Sequence, residues 1–135
     1  MEIEDLTDEL RTLVGWGARP HRLPHLATLR ALTDIPEGAS FRRTGQLMRE
    51  QIRAAVDNLN HPTYDFEAGT CPREVLNRVL RLLFIFEGTG LCVTDRRHRV
   101  MQLLGLSWPM DQWRRYNSPE RQLIRLLASE MYMGG

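Results

Sequence analysis

The sequence predicts an all-α fold, a compact bundle of six or seven helices around a central apolar helix at about residues 72–87. Three observations lead there. Apolar residues recur at three- and four-residue spacing in the segments between breakers, which is the signature of helices that bury one face. Glycine and proline stand between those segments, where helices stop and start. No convincing strand appears: the β-prone run "LLFIF" at 82–86 has no partner strand nearby.

The elements follow in order. Ile3, Leu6, Leu10, Leu13 and Val14 form the first stripe, with Glu2, Glu4, Asp5 and Asp8 in the opening turns, where the helix dipole favours them. Gly15 and Gly17 end it. Pro24 suits the first turn of a second helix carrying Leu26, Leu29 and Leu32. "Thr44-Gly45-Gln46" leads into a third, where Met48, Ile52, Ala55, Val56 and Leu59 share a face and Arg42, Arg43, Arg49 and Arg53 stand outside it. Residues 60–71 read as a loop that Tyr64 and Phe66 fasten down. Pro72 opens the fourth helix, apolar nearly all round. Thr94 reads as the N-cap of a fifth at 95–104, ended by Gly105. Ser107 starts a short sixth helix through Tyr116, and "NSPE" at 117–120 starts a seventh with Leu123, Ile124, Leu127 and Met131 on one face.

The 135 residues suit one domain, with halves 1–60 and 72–135 joined by the loop 60–71 as an alternative division. At 42% apolar and 26% charged the chain is globular, and its net charge of +1 excludes a generally nucleic-acid-coating protein. All 18 basic residues are arginine, so neither a Schiff-base lysine nor a phosphate-loop lysine is available. Cys71 and Cys92 are too few for a disulfide scaffold and predict reduced thiols in a cytoplasmic protein, although sequence alone leaves a bridge open. The acidic start does not read as a signal peptide, and the longest apolar run is too short and too interrupted to span a bilayer.

Function turns on residues 95–116, "DRRHRVMQLLGLSWPMDQWRRY". This reads as helix, glycine turn, helix, which raises a DNA-binding helix-turn-helix. Aligning Gly105 with the turn puts bulky Met101 where a small residue belongs. It also puts Asp111 and Arg114 at two positions that should be buried and apolar. Met110, Trp113 and Tyr116 carry the apolar phase of the sixth helix instead. Residues 95–125 hold seven arginines against three acids, a basic stretch fit for phosphate or for an acidic protein surface. Arginine and tryptophan also dominate protein–protein hot spots. The candidate partner-binding residues are therefore Trp113, Arg114, Arg115 and Tyr116, with Arg96, Arg97 and Arg99 beside them.

Enzymatic and metal chemistry find little support. A zinc site from His21, His25, Cys71 and Cys92 is conceivable on paper, but Pro24 interrupts the two histidines. No histidine stands in a nucleophile motif, no carboxylate pair stands out, and "GTG" at 88–90 reads as a helix stop. The expectation is no catalytic residue, no metal, no cofactor and no small-molecule substrate.

The segment "TDRRHRVMQLLGLSWPMDQWRRYNSPERQLIRLLASEMY", with "RPHRLPHLATLRALTDI" upstream, resembles small helical recruitment modules of actinobacterial signalling and conflict-system proteins, found attached to varied effector domains. The resemblance covers residues 20–35 and 94–132. It implies an adaptor or regulatory role through contacts with a protein, or with a second copy of the chain. Duplex DNA, read by a divergent helix-turn-helix at 95–116, is the alternative partner.

Overall fold

The computed structural model describes residues 2–16, 21–59, 63–66, 69–86, 89–115 and 118–133. Seven α-helices lie among them: α1 (Glu2–Trp16), α2 (Ala27–Leu32), α3 (Phe41–Asp57), α4 (Arg73–Leu83), α5 (Val93–Leu104), α6 (Met110–Trp113) and α7 (Pro119–Met133). The all-α class is thus correct. None of the described helices is long and apolar enough to cross a membrane.

Each helix end has a local cause. Residues Leu23–His25 form a 3₁₀ turn before α2, and the carboxylate of Glu9 on α1 then accepts from the backbone N–H groups of Thr28 and Leu29, both at 2.9 Å. One side chain of α1 thereby satisfies two orphan donors at the start of α2. The third helix begins at Phe41, before the predicted Thr44, because Ser40 caps it: the hydroxyl accepts from Arg43 N–H at 3.1 Å. The fifth begins one residue before the predicted Thr94 cap. Cys92 takes the cap position, and its carbonyl accepts from Arg96 N–H at 3.0 Å. Gly105 ends α5 in the left-handed conformation, φ 69°, as glycine is suited to do.

The loop at 60–71 needs correcting. Strands β1 (Thr63–Phe66) and β2 (Gly69–Pro72) pair antiparallel, with Tyr64 opposite Cys71. Such a ribbon is marginal alone. Here β1 and β2 both touch α4, and β1 also touches α7. Tyr64 is buried, which agrees with its predicted role as a fastener; the side chain of Phe66 lies outside the described residues. Cys71 is buried beside it while Cys92 is exposed, and both thiols are free. Burial pushes the Cys71 thiol up to about 11.

The core is one contiguous apolar cluster. Leu6, Leu10, Leu13 and Val14 of α1 join Met48, Ile52 and Val56 of α3, Leu76, Val79, Leu80 and Leu83 of α4, and Leu123, Ile124 and Leu127 of α7. Helix α4 stops at Leu83, not at 87, and leaves Glu74 and Arg78 exposed. Its end is strained. Ile85 has φ 60°, a left-handed conformation in which a β-branched residue is rare. Its N–H bonds to Leu82 O at 3.4 Å, and Phe86 N–H bonds to Arg81 O at 2.8 Å, the closure that glycine normally provides. Phe86 then lies under two cations, with the guanidinium carbons of Arg49 and Arg53 at 4.7 and 5.9 Å from its ring centre.

Ile85 is half-buried and does not belong to the apolar cluster. A residue of its type in this conformation costs roughly 1–2 kcal/mol, of which glycine's extra chain entropy would return a part. Ile85→Gly is expected to raise stability by about 1 kcal/mol, read as a higher urea midpoint at unchanged slope. A lower midpoint would mean that the side chain contributes more by packing than the backbone loses by strain.

Candidate functional site

The predicted surface residues fall into two groups, and burial separates them. Trp113 is fully buried, as are Arg96 and Glu120, whereas Arg99, Arg114 and Arg115 are exposed. Tyr116 lies outside the described residues. The expectation of an exposed indole is therefore corrected: Trp113 belongs to the scaffold, and only part of the basic stretch reaches the surface.

Arg96 is inward because it shares the buried phase of α5 with Val100. Its Nη1 donates to the carbonyls of Leu82 and Leu83 at 3.2 and 2.7 Å, and its Nη2 donates to Val14 O at 3.2 Å. One cation thus joins the C-terminal ends of α4 and α1, where helix-end carbonyls and the negative dipole ends are buried. This is a structural role, which removes Arg96 from the partner-binding set.

Glu120 organises the second cluster. It lies in the first turn of α7, at the end favoured by the helix dipole, and its carboxylate is fully buried. Arg97 grips it with two bonds, Nε to Oε1 at 2.8 Å and Nη2 to Oε2 at 3.1 Å. The indole Nε1 of Trp113 donates to Oε1 at 3.1 Å, and Arg11 of α1 donates Nε to Oε2 at 3.2 Å. Arg11 continues outward: its Nη2 reaches Trp113 O at 3.1 Å and Ser118 Oγ at 3.0 Å. Trp108 meets the Trp113 ring edge-on, with centroids 6.3 Å apart. One carboxylate thereby ties α1, α5, α6 and α7 together.

A second set of ion pairs runs along α1 and α7. Arg121 Nη2 donates to Glu4 Oε2 at 2.8 Å and to Asp8 Oδ1 at 3.1 Å, and Arg125 Nε donates to Glu4 Oε1 at 2.7 Å. Glu4 and Asp8 of α1 and the two arginines of α7 are therefore spent on each other. Arg121, then Arg125, hold the Glu4 carboxyl below its usual range.

What remains is a short basic edge. Trp113, Arg114 and Arg115 complete the single turn of α6, with backbone N–H bonds to Pro109 O, Met110 O and Gln112 O at 2.9, 3.1 and 3.1 Å. The indole points inward and the two guanidiniums outward. The side chains of Arg114 and Arg115 have no ion-pair or hydrogen-bond partner among the described residues, and the same holds for that of Arg99. Beside Arg114 a shallow groove of about 320 Å³ opens between α1 and α7, lined by Asp8, Arg11, Thr12, Arg114 and Arg121.

Sequence reasoning missed Glu120, Arg11 and Asp8. A signal was present for Glu120: it shares its phase with Leu123, Ile124 and Leu127, so it is an acid on the apolar stripe of α7. Among the described residues no three His, Cys, Asp or Glu side chains are placed to hold a metal ion; His25 instead meets Phe41 edge-on at 5.4 Å. No family model matches the chain, and no curated protein and no solved structure does so either.

Proposed function

We infer that the chain is a non-enzymatic helical interaction module that docks an acidic surface of a protein partner through Arg99, Arg114 and Arg115. The observation that carries this reading is the contrast between two kinds of arginine. Arg96, Arg97, Arg121 and Arg125 are held by groups of the same chain, while Arg114 and Arg115 stand exposed on a turn locked from beneath by Trp113 and Glu120. A guanidinium on a rigid base loses less freedom on binding than one on a mobile loop, and it suits bidentate capture of carboxylates. The resemblance to recruitment modules points the same way, toward docking without bond making, and the two free thiols suit a cytoplasmic protein. A second copy of the chain is included among the partners.

The triple variant Arg99→Glu/Arg114→Glu/Arg115→Glu tests this. Partner isolated with the wild-type chain and then purified should bind the variant at least about tenfold more weakly, through a slower encounter that salt mimics in the wild type. The melting temperature should not change. Equal binding by the two proteins would end the reading, and light scattering of each protein alone shows whether the partner is a second copy. Duplex DNA is the less well supported partner, because a recognition helix must present several side chains to a groove and α6 spans four residues, one of them the buried Trp113. A gel shift with duplex DNA at two salt concentrations checks this: a salt-sensitive shift at micromolar protein would restore DNA as the partner.

A further inference from the structure

We propose that the groove between α1, α6 and α7 seats one carboxylate side chain of the docking partner, gripped by Arg114 and by Arg121 once Asp8 has released it. This deepens the docking reading and rests on it. The groove is lined by three guanidiniums and one carboxylate, so its lining carries excess positive charge.

The three cations are not equivalent. Arg11 has its Nε and Nη2 committed to Glu120, Trp113 O and Ser118 Oγ, so it supplies field rather than a grip. Arg114 is exposed on the groove wall with no partner among the described residues. Arg121 is 8% exposed at its side chain and holds Asp8 at 3.1 Å, and the Asp8 side chain is 59% exposed. Arg121 thus already donates to a carboxylate that borders the groove. Solvent reaches the Asp8 end of this pair and screens it there, although the Arg121 side chain is buried. Asp8 is the more exposed of the two acids on Arg121 and so the more readily displaced, while Glu4 stays at 2.8 Å. An incoming carboxylate would repeat the Asp8 contact and gain the fork of Arg114.

The lining also favours carboxylate over phosphate. A phosphate dianion is best held by several converging donors. The hydroxyl of Thr12 is already donated to Asp8 O at 2.9 Å, and Arg11 is committed elsewhere. A planar carboxylate needs only the two guanidiniums that line the same groove.

Hexaglutamate peptide is the probe, followed by NMR of the arginine Nε–Hε signals in the full chain. The Arg114 and Arg121 signals should move together and saturate, and inorganic phosphate at equal charge should not displace the peptide. Arg114→Gln, at a position whose side chain has no partner among the described residues, should abolish the saturation. Asp8→Asn, which removes the competing carboxylate, should tighten binding by about threefold or more. A diffuse basic face would give the same two signs through net charge alone, so the joint, saturating movement of the Arg114 and Arg121 signals is what separates a groove site from it. Unchanged binding in Arg114→Gln, weaker binding in an Asp8→Asn chain that melts normally, or displacement by phosphate would each overturn the assignment. If Arg99 and Arg115 respond while Arg114 and Arg121 do not, the groove assignment falls and the docking reading stands. If no arginine responds, the groove assignment falls, and the triple variant decides the docking reading separately.

Discussion

Glu120→Gln is expected to destabilise the chain by about 3 kcal/mol or more, which at this chain length lowers the melting temperature by roughly 10 °C. The substitution changes one atom and almost no volume, so packing loss is not the cause. The cause is charge. The side chains of Arg11 and Arg97 are only 14% and 11% exposed, and the carboxylate between them is fully buried. An amide oxygen can still accept from the Trp113 indole, but the amide nitrogen would face Arg11 or Arg97 donor to donor. Two guanidiniums would then sit in a low-dielectric pocket without a counter-charge, and breaking such a pair costs far more than an exposed pair is worth.

A second measurement isolates this mechanism. Arg97→Met should cost less in the Glu120→Gln background than in the wild-type chain, because the cation it removes is already unpaired there. Thermal melts of the four proteins give the comparison. Additive effects, or a Glu120→Gln chain that melts within a degree of wild type, would show that water reaches the cluster and screens it.

The knot shows why the fold was more legible in the sequence than the site. Helix stripes such as Leu6, Leu10 and Leu13, or Leu123, Ile124 and Leu127, are local patterns, and the breakers between them are local too. The hairpin at 63–72 was hidden because its strands are four residues each and draw their support from α4 and α7, remote in sequence. The site was read by residue type: arginines and a tryptophan in one stretch suggested a surface. Phase tells more. Arg96 lies in register with Val100, and Glu120 with Leu123 and Leu127, so a charge on an apolar stripe announced an internal partner. Which partner could not be read, because Arg11 lies 109 residues from Glu120 and meets it only through the packing of α1 on α7. The exposed arginines, 99, 114 and 115, were among those predicted; Asp8 and Arg121, which line the groove beside Arg114, were not.

Trp113→Ala is expected to cost about 4 kcal/mol, in the range for removing a buried aromatic, and to take partner binding with it. A four-residue helix has no stability of its own, since one turn barely repays its nucleation. Its position depends on the indole that fills the space beneath and on the Nε1–H bond to Glu120. Without them Arg114 and Arg115 lose the base that fixes them. Trp113→Phe keeps much of the buried surface and removes the N–H, so it should cost about 1–2 kcal/mol and leave most of the binding. Arg114→Ala and Arg115→Ala, both at exposed positions, should change stability by no more than about 0.5 kcal/mol while weakening binding. Urea unfolding followed by far-ultraviolet circular dichroism, beside a binding titration, places each variant on both axes. An indole acting as a direct contact would show the reverse order, with Trp113→Ala losing the partner at an unchanged unfolding midpoint, and that result would return Trp113 to the surface.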